Sequence, residues 1–546
     1  MRPLSEIGVG ARFLRRLPAF LRHRIDVPEA RGILRRRLER REEDFLTLVR
    51  LGVYARPGSV YQQMLELVGC EYGDLESLVR QHGLEAALEM LLRQGIYLTG
   101  DELKGRRAIV RGGTSIEARH DDLQNPLIRG ELLRYRIGSR GSRQPVAVSL
   151  AAVRERSVNL CLSYDARGGI GWQHAYWEVP GGAVMTHVLE CHPFQGPPAR
   201  WFSQLDPAAP GLHPRYRWSV RLTRWAAAVA GAALPRPTYV PLDAPFPIIE
   251  WMLDTLRRGE TPHLKTYASS AARLCQIALA HGIDLTGVHF TVTGEPATEA
   301  RLATIRRTGA RATPRCGASE TGLIGIGCLK PEVCDELHLF QDLNAVIQPG
   351  SWKLDTLTPR TLLVTALRPT ARMVLLNASL GDEATLGPRA CGCPMEQLGW
   401  TVHLHSIRSP EKLTAAGMNF RDVDVERVLE RVLPDRFGGG PTDYQLVEDV
   451  TPGGESRLRL LVHPAVGPLD VQQVAATFLA AIGHGSGVER VMSLLWREAG
   501  VVNVERRVPI VTSAGKILHL HHERHGRRDQ TAMSRPRHSP AAAAPA

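Results

Sequence analysis

The chain has 546 residues, 43% hydrophobic and 23% charged, which is typical of a globular protein that needs no disulfide to hold its core. Its formal net charge is +12, but the excess is arginine spread among acidic residues and no nucleic-acid-binding motif occurs, so we expect no nucleic-acid partner. Nine scattered cysteines indicate a reduced, cytoplasmic setting, and no apolar run reaches the about 20 residues of a membrane span.

Residues 1–100 are predicted to form a helical extension. Apolar residues recur at helical spacing from Leu75 to Leu92, with Asp74 as a candidate N-cap and Gly95 just beyond the end. This pattern predicts a single helix over that stretch.

Residues 101–407 alternate between short strand-like runs and helical ones. Val288–Thr293 and Thr361–Leu367 have the composition of strands, and Thr298–Thr308 has helical spacing. The repetition of strand, turn and helix predicts the α/β class, with a large multi-layer domain over this range.

Residues 408–525 have the size and pattern of a small α+β domain, and residues 526–546 have the composition of a disordered tail. The predicted elements of the small domain are Val423–Leu433 (helix), Tyr444–Val450 and Leu458–Val462 (strands) and Val471–Ile482 (helix). We interpret the histidines that follow as a solvated helix end rather than a metal site; they are His519, His521, His522 and His525.

The first candidate site is a loop in which small residues surround two arginines. Backbone N–H groups, hydroxyls and guanidiniums in such a loop can wrap and neutralise phosphate oxygens. The loop lacks the GxxxxGK of a Walker loop, and a plain surface turn is the alternative. Its residues are Gly138, Ser139, Arg140, Gly141, Ser142 and Arg143.

Two further candidate sites lie near strand-like runs. Gly294, Glu295 and Pro296 form a turn directly after a predicted strand, where α/β sheets place their ligands. The segment that begins at Cys316 offers close backbone approach, hydroxyls and a carboxylate suited to Mg²⁺. Its candidate residues are Gly317, Ser319, Glu320 and Thr321.

An aspartate and a lysine complete the set of candidates. Asp382 follows Gly381, and a carboxylate after a turn glycine can accept both hydroxyls of a ribose. Lys516 ends the segment Ser513-Ala514-Gly515-Lys516, in a chain that otherwise uses mostly arginine for positive charge. Because lysine is a compact charge on a flexible stem, it suits a developing oxyanion or a phosphate.

In this order, the glycine–serine–arginine loop, GEP, GASETG, GD and SAGK resemble the motifs of the adenylate-forming superfamily of acyl-CoA synthetases, adenylation domains and luciferases. The nearer resemblance is to the phenylacetate–coenzyme A ligase branch, and it covers residues 100–520, with GASETG and SAGK as its most specific parts. It implies an enzyme that uses ATP and Mg²⁺ to convert a small carboxylic acid to an acyl-AMP, with release of pyrophosphate. The acyl group then passes to a thiol or amine; coenzyme A is the favoured acceptor, and a carrier protein or an amine stays open.

The resemblance also implies a role for each motif. The glycine–serine–arginine loop would cradle the ATP phosphates, and the GEP turn would border the adenine. Glu320 would hold Mg²⁺, and Asp382 would bind the ribose hydroxyls. Arg408 would contact the nucleotide at the domain boundary, and Lys516, on a mobile small domain, would bridge the carboxylate and the α-phosphate.

Some residues depart from the family pattern. Cys316 stands in place of an aromatic residue, Asn377 in place of an arginine and Ile407 in place of a glycine. The alternative interpretation is therefore a degenerate adenylate-forming fold that acts as a non-catalytic binding or scaffold protein.

Two cysteine pairs predict a structural zinc site. Cys328 and Cys334 are separated by five residues and Cys391 and Cys393 by one, and two thiolate pairs on separate segments suit tetrahedral Zn²⁺. His338 is a spare ligand candidate, and four buried free thiols are the alternative.

The acid-binding pocket is expected between about residues 185 and 320, with His192, Phe194 and Phe290 as candidates. The chain contains no GxSxG nucleophile elbow, which disfavours an α/β-hydrolase.

Overall fold

The computed structural model confirms the α/β class and is built around one large sheet. Within the part of the chain that the structure describes, no helix combines the length and apolar character needed to cross a membrane. The described residues are 3–128, 130, 132–136, 144–179, 182–206, 215–352, 354, 357–409, 414–415, 418–419, 425–450, 456–483, 502–512 and 514–523.

The N-terminal hundred residues are mostly helical, but the single helix expected from Leu75 to Leu92 is two helices. Gly83 breaks it, because its φ of +80° lies in the left-handed region. Asp74 lies in the first turn of the earlier helix, where it accepts a hydrogen bond from the backbone N–H of Glu71 at 2.9 Å. The helices are α1 (Pro3–Arg22), α2 (Val27–Glu39), α3 (Arg41–Val49), α4 (Val60–Leu67), α5 (Tyr72–His82), α6 (Leu84–Arg93) and α7 (Gly100–Leu103), with a π-helical turn at Arg50–Tyr54.

Two short hairpins precede the large sheet. They are β1 (Ile109–Arg111) with β2 (Thr114–Ile116), and β3 (Leu132–Arg136) with β4 (Gln144–Val148); a 3-10 helix at His120–Leu123 lies between them. The second hairpin encloses residues 137–143. The predicted phosphate loop, Gly138 to Arg143, therefore lies outside the described residues.

The large sheet has twelve strands. The strands that lie before residue 319 in the chain pair with one another in parallel, and the later strands pair in antiparallel fashion. Its elements are α8 (Leu150–Asp165), β5 (Gln173–Glu178), α9 (Gly182–Gln195), β6 (Arg200–Ser203), α10 (Arg215–Val229), β7 (Thr238–Tyr239), α11 (Phe246–Arg257), β8 (Pro262–Tyr267), α12 (Ala268–Ala280), β9 (His289–Thr293), α13 (Glu299–Arg307), β10 (Arg311–Ala318), β11 (Gly322–Gly327), β12 (Leu337–Leu339), β13 (Asn344–Ile347), β14 (Thr361–Ala366), β15 (Ala378–Pro388), a 3-10 helix at Glu396–Leu398 and β16 (Val402–Arg408). Their spatial order is β13-β14-β15-β16-β12-β11-β10-β9-β8-β5-β6-β7. The predicted strands near Val288 and Thr361 and the helix after Thr298 are confirmed.

The two faces of the parallel half differ in chemistry. Successive side chains of a strand point to opposite faces, so residues two apart share a face. On one face Trp177, Leu264 and Phe290 form an apolar core with α11, α12 and α13. The opposite face, which carries Lys265 and Thr291, is polar and buried.

The N-terminal helices pack on the antiparallel half of the sheet, where α3 to α6 share one apolar core with β13, β14 and β15. Asn377, directly before β15, has a φ of +47°. Its side-chain amide donates to the carbonyl oxygens of Leu88 at 2.8 Å and Ile96 at 3.1 Å. This residue, which departs from the family pattern, therefore fastens the helices to the sheet.

The described residues between 425 and 523 form a C-terminal unit with its own apolar core and a four-stranded sheet. After a two-residue pairing of β17 (Thr414–Ala415) with β18 (Met418–Asn419), its elements are α14 (Val425–Arg427), a π-helical turn at Val428–Val432, α15 (Leu433–Phe437), β19 (Tyr444–Val450), β20 (Ser456–Val462), α16 (Val471–Ile482), β21 (Val502–Arg506) and β22 (Leu520–Glu523), with sheet order β21-β20-β19-β22. The predicted bounds of β19 and α16 are confirmed. The helix end expected at His521 and His522 is wrong, because these residues form β22, which pairs in parallel with β19; His525 lies outside the described residues.

Candidate functional site

Lys516 reaches from the C-terminal unit to the GEP turn of the large sheet. Its Nζ donates a hydrogen bond to the carbonyl oxygen of Gly294 at 2.7 Å and lies 5.2 Å from the centre of the Tyr267 ring. At that distance the face of the ring attracts the ammonium group. Two predicted motifs that are 222 residues apart in sequence therefore meet at the C-terminal ends of β8 and β9.

The loop that carries Lys516 is closed on itself. The backbone N–H of Thr512 donates to the carbonyl oxygen of Lys516 at 2.9 Å, and the N–H of Lys516 donates to Oγ1 of Thr512 at 3.1 Å. Gly515 turns the loop with a φ of +86°, and a Cβ at this position would meet the side chain of Gln204. The positive φ favours glycine here, and any other residue would also have to move Gln204.

The carboxylate of Glu295 has structural partners. It accepts hydrogen bonds from the backbone N–H of Ser269 at 2.7 Å and from its hydroxyl at 3.0 Å, in the first turn of α12. A negative charge at a helix N-terminus stabilises the helix. Because the Glu295 side chain is fully engaged and buried, the backbone of the GEP turn is what remains to contact a ligand.

Arg301, in α13, connects the C-terminal unit to this turn. Its side chain is 1% exposed, and it contacts Glu295 at 3.3 Å, Glu430 at 2.8 Å and the carbonyl oxygen of Ile517 at 3.3 Å. Nη2 of Arg301 also lies 3.1 Å from Nε2 of His519, which lies 2.6 Å from Glu430. Burial opposes the charge on Arg301, but Glu430 and Glu295 raise its pKa above the usual range. Sequence analysis missed Arg301, and it wrongly assigned His519 to a solvated helix end, because His519 is 7% exposed and lies between Arg301 and Glu430.

The GASETG segment forms the tight connection between β10 and β11. Gly317 lies at a bulge, and a Cβ there would meet the carbonyl oxygen of Gly322 at 2.5 Å. Glu320 is 6% exposed, and Oγ1 of Thr321 is buried without a hydrogen-bond partner among the described residues. A carboxylate oxygen is a ligand that suits Mg²⁺, and a hydroxyl without a partner can donate a hydrogen bond to a phosphate oxygen.

Asp382 and Arg408 lie on β15 and β16, which are neighbours in the sheet. Asp382 accepts a hydrogen bond from the hydroxyl of Ser409. Arg408 pairs with Glu426 of the C-terminal unit at 2.7 Å. Both candidate residues therefore have protein partners in this structure.

One apolar cluster joins the segments that carry Glu320, Asp382 and Arg408. Cys316, Leu380 and Ile407, which belong to these three segments, pack against the same group of buried residues. In addition, the β10 strand that leads to GASETG pairs with β9, which leads to GEP. The four motif segments that the structure describes outside the C-terminal unit therefore converge on adjoining strands.

The residues expected to line the acid pocket belong to the protein core instead. Phe290 packs beneath α11 to α13, and Phe194 packs against Tyr164. His192 contacts the carbonyl oxygen of Leu21 at 3.3 Å, and burial lowers its pKa to about 4.

Three of the four cysteines predicted to bind zinc lie together, and a histidine takes the place of the fourth. The ligand atoms of Cys328, His338, Cys391 and Cys393 all lie within 4.8 Å of one another. Nε2 of His338 is 3.2 Å from Sγ of Cys393 and 3.7 Å from Sγ of Cys391. Sγ of Cys334 instead lies 3.8 Å from a backbone carbonyl oxygen, so His338, on β12, corrects the predicted quartet.

The chemistry of this group fits a divalent metal ion. Nδ1 of His338 donates to the carbonyl oxygen of Trp400 at 2.6 Å, which leaves the Nε2 lone pair facing the thiols. Burial raises the pKa of Cys328 to about 12, whereas Cys393 overcomes burial through hydrogen bonds from nearby backbone, which lower its pKa. Three sulfur atoms and one imidazole nitrogen are a donor set of structural zinc sites.

Comparison with known proteins gives structural likenesses only. No family model and no curated protein matches the chain. The similar solved structures include 2-hydroxyisobutyryl-CoA ligase in complex with 2-HIB-AMP and CoA (15% identity, 89% of this chain and 89% of that chain, TM-score 0.43), McyG A-PCP complexed with phenylalanyl-adenylate (11%, 71% and 65%, 0.40) and the anthranilate CoA ligase AuaEII in complex with anthranoyl-AMP (10%, 70% and 65%, 0.38). At these identities and TM-scores, the likenesses do not assign an activity to this chain.

Proposed function

We propose that the chain is an AMP-forming acid ligase. The carboxylate of a small organic acid attacks the α-phosphorus of MgATP, the bond to the bridging oxygen breaks, and acyl-AMP and pyrophosphate form. The observation that carries this proposal is the contact of Lys516 Nζ with the carbonyl oxygen of Gly294, because it brings the SAGK lysine to the GEP turn.

Lys516 supplies charge stabilisation to this reaction. During the attack, negative charge is shared between the acid oxygen and the α-phosphate, and a positioned ammonium group lowers the energy of that arrangement. The closed loop from Thr512 to Lys516 limits the positions that the ammonium can take. When substrates bind, these oxygens replace the Gly294 carbonyl as its acceptors.

The remaining motif residues hold the nucleotide. Glu320 binds Mg²⁺ with the help of the nearby Thr321 hydroxyl, which has no other partner in the described part of the chain. Asp382 exchanges the Ser409 hydroxyl for those of the ribose, and Arg408 leaves Glu426 to contact the nucleotide. The loop from Gly138 to Arg143 takes the phosphates.

After adenylation, the sulfur of a thiol, for which we propose coenzyme A, bonds to the acyl carbon, the bond from that carbon to the phosphate oxygen breaks, and AMP and the thiol proton are released. The C-terminal unit has to turn so that the acceptor can reach the acyl-AMP. Its contacts with the large sheet suit such a movement, because they include ion pairs from Arg301 to Glu430 and from Arg273 to Asp443. Polar contacts of this kind are typical of interfaces between domains that move.

The test is ATP–pyrophosphate exchange over a panel of aryl, fatty and amino acids. For an acid that supports exchange, we expect Lys516→Ala to lower the rate about 10²- to 10³-fold, since one charge-stabilising group is lost. Lys104→Ala, in a lysine at the end of α7, is the matched control and should leave the rate unchanged. Nucleotide binding without exchange for any acid would favour the non-catalytic scaffold instead.

We also propose that Cys328, His338, Cys391 and Cys393 bind one structural Zn²⁺. The support is their mutual proximity and the orientation of His338 by the Trp400 carbonyl. Elemental analysis of the purified chain should find one zinc per molecule in the wild type and in Cys334→Ser, and a loss of zinc in Cys393→Ser. Equal zinc content in both variants would refute the assignment.

A further inference from the structure

The polar face of the parallel strands extends from Lys516 toward the N-terminal ends of the strands. Tyr267, next to Lys516, is the last residue of β8, and Lys265 is two residues earlier on the same face, about 6.6 Å along the strand. In the sheet register, Lys265 lies between Tyr176 of β5 and Thr291 of β9. Lys265 therefore lies on β8 one same-face position before Tyr267, near which the acid would react.

Charged side chains from two helices complete a buried layer around Lys265. Glu190 of α9 accepts hydrogen bonds from Arg156 of α8 at 2.7 Å and from Arg315 of β10 at 2.6 Å. Glu178, at the end of β5, contacts Nδ1 of His187 at 2.9 Å. All of these side chains are at least nine-tenths buried.

This layer is continuous with the GASETG segment. The guanidinium of Arg156 is so close to Gly322 that a Cβ there would lie 3.2 Å from its Nη1. Nη2 of the same arginine is buried without a hydrogen-bond partner in the described part of the chain. The charged layer therefore lies directly against the segment that is proposed to hold Mg²⁺.

Lys265 is the member of the layer whose charge is least satisfied. It is 1% exposed, and its Nζ makes no hydrogen bond to any described residue. Burial, and then repulsion by Arg315, lowers the pKa of Lys265 to about 7. A buried ammonium without a hydrogen bond is costly, and a ligand oxygen would remove that cost.

The charge balance indicates which kind of ligand fits. Arg156 and Arg315 share the single carboxylate of Glu190. Glu178 faces His187, whose pKa burial lowers to about 4, so that this imidazole is neutral near pH 7. With Lys265 protonated, the layer has an excess of positive charge, which favours an acceptor oxygen over an ammonium or a hydrocarbon group.

We propose that the acid activated by this chain carries a second oxygen acceptor, a carboxylate or a carbonyl, on its chain, and that Lys265 binds that group. The proposal rests on the proposed function, because it uses the position of Lys516 to define the reactive end. Lys265 would then be a specificity-determining residue, and an acid with a purely hydrocarbon chain would leave its ammonium unpaired.

The experiment compares matched acids in ATP–pyrophosphate exchange. Each apolar acid is paired with a partner of the same length that carries an acceptor at or next to its far end, such as pentanoic with glutaric acid, hexanoic with 5-oxohexanoic acid, and 4-ethylphenylacetic with 4-carboxyphenylacetic acid. We expect the wild type to prefer the acceptor-bearing acid by about 10- to 100-fold in kcat/KM, the size of one charge-assisted hydrogen bond in a buried site. The carboxylate and carbonyl pairs distinguish the two forms of the acceptor.

Lys265→Met should remove the preference by raising KM for the acceptor-bearing acids, with little change for the apolar ones. Lys104→Met is the control, and the thermal midpoint of Lys265→Met should not fall, because methionine fills the volume without a buried charge. A wild type that prefers apolar or amino acids would overturn the inference while leaving the proposed function intact, and so would a variant that loses all acids alike. Absence of exchange with every acid would reject the proposed function itself.

Discussion

The polar face of the parallel strands has polar side chains at both ends, and these side chains find partners in different ways at the two ends. At the C-terminal end, Glu190 and Glu178 hold charged or polar partners, and Lys265 keeps an amine without a hydrogen bond in the described structure. At the opposite end, His174 and His263 form a row with their Nδ1 atoms 2.8 Å apart, and Nε2 of His263 lies 2.8 Å from the Thr291 hydroxyl.

The difference shows how burial separates a structural polar group from one available to a ligand. Burial lowers the pKa of His174 to about 3 and that of His289 to about 4, so these rings are neutral; His174 meets His263 through Nδ1, while its Nε2 has no hydrogen-bond partner among the described residues, and His289 packs against Trp172. Neutral rings need no counter-charge. The other end keeps its charges, and charges that the protein leaves incompletely paired are the ones a substrate can complete.

The largest expected effect is at Arg301, which joins the C-terminal unit to the GEP turn through buried ion pairs. We expect Arg301→Met to lower the free energy of unfolding by about 3–5 kcal/mol, because Glu295 and Glu430 would be left buried without their partner. Urea unfolding measures this. Arg306→Met, in an exposed arginine of the same helix, is the control, and a similar result for both variants would show that the buried pairs are not what holds this end.

A lower pH should reduce the folding stability through the buried histidines at the N-terminal end of the strands. The pKa values of His174, His263 and His289 lie below the 6.5 of an unfolded histidine because of burial, with Arg167 adding repulsion. The unfolded chain therefore takes up protons first, and stability present above pH 6.5 is lost as the pH falls towards 4, by on the order of 3 kcal/mol.

Unfolding in urea at a series of pH values from 7.5 to 4.5 measures this slope. His289→Phe should keep the stacking on Trp172 and make the slope shallower, whereas substitution of the exposed His23 should not. A slope that His289→Phe leaves unchanged would mean that other groups control acid sensitivity.

The smallest expected effect is at Gly515 of the C-terminal unit, which tests how the Lys516 loop docks on the large sheet. Gly515→Ala should weaken docking of the Lys516 loop by about 1–3 kcal/mol, since the new Cβ meets Gln204 and a positive φ disfavours alanine. The measurement is the exchange rate at saturating substrates. Gly438→Ala is matched, because its φ is +85° but its Cβ would meet nothing within 4 Å; equal losses in both variants would assign the effect to backbone strain alone.

Local patterns predicted the fold well where one element decides its own structure. The bounds of β19 and α16 follow from their side-chain spacing, and α13 begins after Thr298, whose hydroxyl accepts a hydrogen bond from the Arg301 N–H as an N-cap. The break in the helix predicted from Leu75 to Leu92 was missed because the apolar spacing continues through Gly83, whereas the helical backbone does not.

Features that depend on contacts between distant segments were harder to predict. The sequence around His521 and His522 has no strand-like pattern, and this segment forms a strand because it pairs with β19. Cysteine spacing suggested Cys334, whereas the sheet register puts His338 beside the Cys391–Cys393 turn. No local pattern could reveal that Lys265 lies below Lys516, because the two lysines belong to different units.

The closed loop around Lys516 has a consequence for timing. Since its own backbone bonds hold it and β22 begins at Leu520, fraying of the loop alone does not carry the backbone of Lys516 away from the GEP turn. Under the proposed function, withdrawal of the lysine from the site requires the C-terminal unit to undock, including the Arg301 contacts. The activated acid would then stay shielded from water until the same event admits the acceptor, so that hydrolysis and transfer do not compete in the closed state.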